Sequence, residues 1–346
     1  MKPSCPSLLL ALLALGALVG GCRGPRDVLA PASLETGSVS SLWWLFCGVA
    51  VAVFLVVMLF LLGAIRRAQR DRELAALAAP EIPEPTEPTE RRLSAVISSA
   101  VGITIVILFG LLLVDFSTGR KLRPPVTANP LTIKITGHQW WWQIDYDDPT
   151  PANIIHTANE LHLPVGRPVQ LQLQSADVIH SFWLPNLQGK KDLIPGHPTT
   201  LWLQPDRVGT FRGQCAEFCG HQHAHMGIVA VVESPEDFAK WQEAQRKSAP
   251  EPASASQRHG RDVFLTASCV MCHAIGGTTA GSHVGPPLTH FASRETLAAG
   301  AFPNNRGYLA GWILDPQALK PGVRMPQNLL SADDLQALLD YLETLR

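Results

Sequence analysis

Between Cys215 and Met226 the sequence gathers Cys215, Cys219, His221, His223, His225 and Met226, which is two thiols, three imidazoles and a thioether in twelve residues. No other cysteine lies close in sequence to form a disulfide, and the set reads as a metal site. Thiolate and thioether donors beside imidazole favour copper. A structural zinc site would close with four Cys or His ligands and no Met, so zinc comes second. A mononuclear blue-copper loop needs one Cys followed by a His and a Met, with a second His from far upstream. The extra thiol four residues before Cys219 therefore suggests two coppers sharing two sulfurs. Such a pair spreads one electron over both metals and keeps reorganisation small, which is a design for electron transfer. The alternative is a redox disulfide between Cys215 and Cys219, with Met226 serving only to pack.

A second cluster, Cys269-Val270-Met271-Cys272-His273, has the spacing of a c-type haem attachment. Its two thiols would add to the vinyl groups and its imidazole would bind the iron; a redox disulfide is again the alternative. The opposite axial ligand must come from later in the chain, and Met325 is the one Met of five that follows His273. His283 and His290 are the other candidates. Met with His ligation raises the potential, as an electron carrier needs.

Cys215-x-Glu217-x-Cys219-x-x-x-His223-x-x-Met226 resembles the CuA loop of cytochrome c oxidase subunit II. Two further motifs of that family occur upstream, Asp177-Val178-Ile179-His180-Ser181 and Gly137-His138-Gln139-Trp140-Trp141-Trp142. The resemblance implies that Cys215 and Cys219 bridge the coppers, that His180 and His223 are terminal ligands, that Met226 is a weak axial ligand and that Glu217 offers its backbone carbonyl. It also implies electron entry at Trp140 and a magnesium ion, shared with a partner subunit, on the Glu217 carboxylate. His221 and His225 fall off the pattern and are expected to be solvated. His197 departs from the family's Arg after Ile194-Pro195-Gly196, and with it goes a charge pairing with haem propionates. Lys320-Pro321-Gly322-Val323-Arg324-Met325-Pro326 resembles the Met-Pro loop of class I cytochromes c.

These residues need elements to hold them, and composition along the chain is uneven. A net charge of −1 with 16% charged residues leaves no basic excess for nucleic acid. Residues 1–21 hold Lys2, an apolar run from Leu8 to Val19 and small residues, a secretory leader. Its end, Leu18-Val19-Gly20-Gly21-Cys22, resembles a bacterial lipoprotein cleavage box, which would make Cys22 the lipidated N-terminus; an ordinary signal peptide or an uncleaved segment is the alternative. Residues 42–65 and 93–114 are uncharged and, at about 1.5 Å per residue, each crosses a hydrocarbon core of roughly 30 Å. Arg66, Arg67, Arg70, Arg72, Arg91 and Arg92 put their connection in the cytoplasm and everything after Asp115 outside. Within it Pro80–Glu90 reads as an extended, solvated connector. Glu90 stands near where the family carries a carboxylate at the mouth of a proton path, a solvated loop charge being the other reading.

From Leu131 alternation takes over. Leu131, Ile133 and Ile135, then Val169, Leu171 and Leu173, then Leu201 and Leu203, then Ile228 to Val232 read as strands separated by turns. They fit an antiparallel sandwich over 125–233, with the cupredoxin-like Greek-key architecture that the resemblance implies and the copper loop between its last two strands. Side-chain alternation places Trp140 and Trp142 on one strand face and Trp141 on the other. Ser234-Pro235-Glu236-Asp237 starts a short helix. Residues 247–257 then read as a flexible tether with a root-mean-square reach of about 18 Å, completing a helix-and-linker segment over 234–257. In the all-α cytochrome c domain over 258–346, Leu335, Leu338, Leu339, Leu342 and Leu345 form a stripe that should pack on a helix around Gly260–Thr266.

The whole arrangement resembles oxidase subunit II with a fused cytochrome domain, and that implies an electron inlet. Electrons from an upstream donor, cytochrome c or a quinol–cytochrome c reductase complex, would reach haem c, then CuA, then a separate catalytic subunit I that reduces dioxygen and translocates protons. The expected place is the bacterial inner membrane, multi-pass, with both cofactor domains periplasmic and other oxidase subunits as partners. A CuA subunit of a nitric oxide reductase of the same superfamily is one alternative. A membrane copper-delivery protein is another, although delivery has no need of a haem.

Overall fold

The computed structural model describes residues 24, 26–75, 87–122 and 130–346. The leader over 1–21, Cys22 and its lipidation, residues 80–86 of the connector and the first residues of a domain beginning at 125 lie outside the described residues. The chain divides into two compact units, one of residues 37–124 and one of residues 125–346 with the segment up to Thr36.

The first unit is carried by α1 (Leu34–Ala75) and α2 (Glu87–Lys121), each long and apolar enough to cross a membrane. Both run past the expected spans because their charged ends continue the helix. Glu87–Glu90 therefore open α2 rather than close an extended connector, with Pro88 in the first turn, where its missing N–H costs nothing. No residue of α2 is buried, and a helix apolar on every side is built to face lipid or another helix.

The second unit opens with a β-sandwich. Its strands are β1 (Leu131–His138), β2 (Trp141–Tyr146), β3 (Ile155–Ala158), β4 (Glu160–Pro164), β5 (Val169–Ser175), β6 (His180–Trp183), β7 (Lys191–Leu193), β8 (Thr199–Leu203), β9 (Gly209–Cys215) and β10 (Gly227–Glu233). One sheet runs β3-β2-β1-β5-β8 and the other β4-β10-β9-β6-β7. The β1–β5 and β4–β10 pairs are parallel, so the sandwich is mixed where a purely antiparallel one was expected. Alternation does the sorting: Ile133, Ile135, Leu171 and Leu173 are fully buried between the sheets. The tryptophan block breaks the parity argument. Trp140 sits in the turn between β1 and β2, not in a strand, and is buried; Trp142 enters the core edge-on to Phe182, and Trp141 stacks on His138.

Behind β10 comes α3 (Pro235–Gln245), whose cap Ser234 accepts from the Asp237 N–H. Phe238 and Trp241 of this helix pack on Tyr146, and Trp241 stacks on His162. The cytochrome part holds α4 (Ala255–Thr266), α5 (Arg306–Leu314), the single turn α6 (Pro316–Leu319) and α7 (Ala332–Leu342). The leucine stripe of α7 faces α4 as expected. Gly260 lets the two helices touch: a Cβ there would lie 1.9 Å from the Ala337 carbonyl oxygen. A two-stranded ribbon, Thr296–Leu297 against Phe302–Pro303, interrupts the expected all-α domain.

The expected flexible tether is instead held. Residues 255–257 already belong to α4, capped by a reciprocal Ser254–Gln257 box. The Ala249 N–H donates to the Gly276 carbonyl, Arg261 pairs with Glu251, and the buried His290 bonds through Nε2 to the carbonyls of Gln245 and Lys247. Composition predicted a free chain because it cannot register these long-range partners.

Candidate metal and haem centres

The copper loop connects β9 to β10, and β6, the neighbour of β9, delivers His180 from the same sheet. Six groups converge there. Cys215 Sγ lies 3.9 Å from Cys219 Sγ, 3.9 Å from His180 Nδ1 and 3.2 Å from the Glu217 carbonyl. Cys219 Sγ lies 3.6 Å from His223 Nδ1 and 3.9 Å from Met226 Sδ. His180, Cys215, Cys219 and Met226 are all buried. These are soft donors gathered out of water, and the arrangement fits a thiophilic metal. Sharing a hydrogen bond with Cys219 holds the Cys215 thiol down to about 3, and the same bond, with burial, pushes Cys219 up. Cations that bind both sulfurs displace their protons.

His180 is oriented from behind. Its Nε2 meets Asp177 Oδ1 at 2.8 Å, which leaves Nδ1 aimed at Cys215. Burial alone would raise the Asp177 carboxyl, but His180 and the N–H groups of Gln139 and Val178 hold it at about 2. Burial works against charge on His180, yet its bonds to Asp177 and Cys215 raise it. The exposed Glu217 side chain points away from the sulfurs' buried pocket, while its carbonyl reaches Cys215. Trp140 Nε1 and Gln139 Nε2 both donate to the Cys219 carbonyl, at 3.0 and 2.8 Å. His221 and His225 are exposed, as expected, although the His225 carbonyl turns out to be engaged by Lys320. His197 is exposed in the turn after β7.

In the cytochrome part, His273 Nδ1 bonds the Pro286 carbonyl at 2.8 Å, so Nε2 is left for another partner. Burial lowers its pKa, opposed by that carbonyl. Cys269 and Cys272 are free thiols one short turn before it, and burial raises Cys269. Gly285 keeps this space open, since a Cβ there would lie 2.8 Å from the His273 ring. Arg294 Nε is buried without a partner, and burial lowers this guanidinium to about 10 against the pull of Glu160. Two free thiols, a one-sided imidazole and an orphaned cationic donor fit an acidic prosthetic group such as haem. Among the other axial candidates, His290 has both ring nitrogens on main-chain oxygens, of Arg346, Gln245 and Lys247, and has no atom left for iron. His283 is exposed beside His156. Met325 is half-buried and its carbonyl is held by Gln317.

What the motifs did not reveal is that loops of the sandwich and of the cytochrome part touch beside the thiol cluster. Gly322 approaches His221, Gln222 Nε2 donates to the Pro321 carbonyl, and the Gly227 N–H donates to the Ala299 carbonyl. Lys320 Nζ donates to the carbonyls of His225 and Ala298, and its burial without a carboxylate lowers its pKa to about 8. On the flank, the buried Glu160 carboxylate, raised by burial, accepts the N–H groups of Glu295 and Thr296.

Fold and site together define an apolar-helix-anchored sandwich with a thiol-rich metal loop, joined to a c-type cytochrome unit. The family model "Cytochrome C oxidase subunit II, periplasmic domain" matches residues 149–234, and the model "Cytochrome c" matches residues 257–346. Cytochrome c oxidase subunit 2 of Alkalihalophilus pseudofirmus is 41% identical over 224 residues, 64% of each chain. That of Bacillus subtilis is 30% identical over 256 residues, 70% of this chain and 69% of the relative. The periplasmic domain of subunit II of cytochrome oxidase of Bradyrhizobium japonicum, a solved structure, is 34% identical, covering 36% of this chain and 97% of that one with a TM-score of 0.33. The chain belongs to the cytochrome c oxidase subunit II family and carries a cytochrome c domain at its C-terminal end. It spans 64% of the length of the Alkalihalophilus relative.

Proposed function

We propose that this chain is the electron-entry subunit of a respiratory haem-copper oxidase, taking electrons at haem c and passing them through CuA to a catalytic subunit I that reduces dioxygen and translocates protons. The observation that carries the reading is the seating of the Lys320–Arg324 loop, directly before Met325, on the copper loop. Bound here, the copper pair and the haem would supply one-electron redox chemistry. The chain's own residues do the rest. Cys215, Cys219, His180, His223, Met226 and the Glu217 carbonyl would hold two coppers; Cys269, Cys272, His273 and Met325 would hold the haem. Asp177 fixes the His180 ring, and burial of the sulfurs excludes water and limits reorganisation. Trp140, bonded to the Cys219 carbonyl, would couple the copper loop to the surface on which the cytochrome part rests.

The same reading assigns magnesium, shared with subunit I, to the Glu217 carboxylate, and lipidation to Cys22. It puts both helices across the bacterial inner membrane with the cofactor domains in the periplasm, where cytochrome c or a quinol–cytochrome c reductase complex would be the donor. The test is the purified complex. A mixed-valence binuclear copper resonance, covalent haem c and dioxygen uptake are expected together; nitric oxide consumption in place of dioxygen uptake would move the chain to a reductase, and absence of the binuclear resonance would remove the reading.

A further inference from the structure

Arg324 lies between Val323, which packs on the sandwich core, and Met325. Its NH2 donates to Gln139 Oε1 at 2.6 Å and stands 3.6 Å from Asp177 Oδ2. From these two residues, two short chains of hydrogen bonds lead inward. Gln139 Nε2 donates to the Cys219 carbonyl at 2.8 Å, and Asp177 Oδ1 meets His180 Nε2 at 2.8 Å. The Gln139 N–H closes the network on Asp177 Oδ2 at 2.7 Å. One guanidinium of the cytochrome part thus reaches, through one residue each, the Cys219 carbonyl in the loop and the His180 ring on β6.

We infer that Arg324 is a positioning residue that sets the electron affinity of the copper centre from the cytochrome side, acting through Asp177 on His180 and through Gln139 on Cys219. This rests on the copper reading proposed above. The physical argument concerns the His180 Nε2 proton. A carboxylate facing that proton draws it away and makes the ring a stronger donor, which favours the oxidised metal; a cation against the carboxylate weakens the pull. Arg324 supplies that cation, and its planar fork can serve the amide and the carboxylate together, as a Lys could not. The seat of the loop does not depend on it. Lys320, Gln222, Gly227 and Glu160 fix the docking through separate bonds, while the Arg324 side chain is 65% exposed. Exposure also limits the size of the effect, because solvent screens the pair.

The experiment is an anaerobic redox titration of the full complex, with haem c and the copper centre followed by absorbance and the copper centre by electron paramagnetic resonance. Arg324→Gln should shift electron sharing about threefold from the copper centre towards haem c, and should alter the nitrogen hyperfine pattern of the copper resonance. Arg324→Lys should restore only part of the sharing, because the charge returns without the fork that also reaches Gln139. Asp177→Asn should shift sharing the opposite way, towards copper. Arg306→Gln, which removes the same charge from its surface pairs with Asp340 and Glu343, is the control for net charge and should leave both readouts unchanged. Unchanged sharing and hyperfine in Arg324→Gln, or an equal shift in Arg306→Gln, overturns the inference while leaving the copper reading intact. No binuclear resonance in the wild-type complex would overturn both.

Discussion

Two neighbours and burial prepare His180 for a metal: Asp177 claims one ring nitrogen, Cys215 faces the other, and burial removes water as a competitor. In the proposed copper site Cys215 and Cys219 would supply soft, shareable sulfurs that a serine oxygen cannot replace. Cys215→Ser or Cys219→Ser should therefore abolish the binuclear resonance and leave haem c attached, with His221→Ala and His225→Ala unchanged; a surviving mixed-valence spectrum in either serine variant would defeat the bridging assignment. Met325→Ala should keep the haem covalently bound through Cys269 and Cys272 but lower its potential, which a titration at the haem bands reads directly. If His283→Ala lowered it instead, Met325 would be the wrong ligand. The convergence of these groups was legible where they are contiguous, as in Cys215–Met226, because spacing alone limits which atoms can meet. Asp177 and Gln139 stood inside motifs and were still missed as partners of the ligands. Asp177 reaches His180 from three residues away within one motif, whereas Gln139 reaches the Cys219 carbonyl across eighty residues, a pairing that one-dimensional spacing does not record.

Among the elements, the strands were readable from alternation and α7 from its leucine stripe, because both patterns record a buried face. Two segments were misjudged for opposite reasons. Trp140 looked like a strand residue but belongs to a turn, where parity no longer holds. The segment after α3 looked like a tether because Pro, Ala and Ser dominate it, yet the His290 side chain and the Gly276 carbonyl, both distant in sequence, hold its main chain. Replacing His290 should thus act on the linker rather than on the haem. His290→Ala removes the side-chain bonds to the carbonyls of Gln245 and Lys247, at about 0.5–1.5 kcal/mol for each bond lost. The expected result is a lower melting temperature of the cytochrome part and faster proteolysis between Lys247 and Ser254, with an unchanged haem spectrum. A changed spectrum with an unchanged cleavage rate would return His290 to the list of axial ligands.

For the whole molecule, a loose tether would make transfer between the centres depend on reach, and cutting residues 247–257 would then make it depend on concentration. The docked arrangement predicts otherwise. With Glu160, Gln222, Gly227 and Lys320 all bonded across the contact, a nicked chain should keep its cytochrome part seated, and the transfer rate after flash reduction of haem c should survive both the cut and moderate dilution. Lys320 gives that seat a pH dependence with a definite sign. Burial holds its ammonium down to about 8 when docked, against 10.5 when free. Between those values the released form binds the extra proton, so docking gains strength as pH rises from about 8 to 10.5 and carries the full penalty of the buried cation below 8. The drop from 10.5 to about 8 sets about 3 kcal/mol as an upper bound on that penalty. Dissociation of the nicked cytochrome part, followed by sedimentation, should accordingly be weaker at pH 10 than at pH 7. Lys320→Met, which keeps the stem and removes the charge, should be bound as tightly at pH 7 as the wild type is at pH 10 and should lose the dependence. Tighter docking of the wild type at pH 7 would mean that Lys320 gains more from its carbonyl partners than it loses by burial, and the sign assigned here would be reversed.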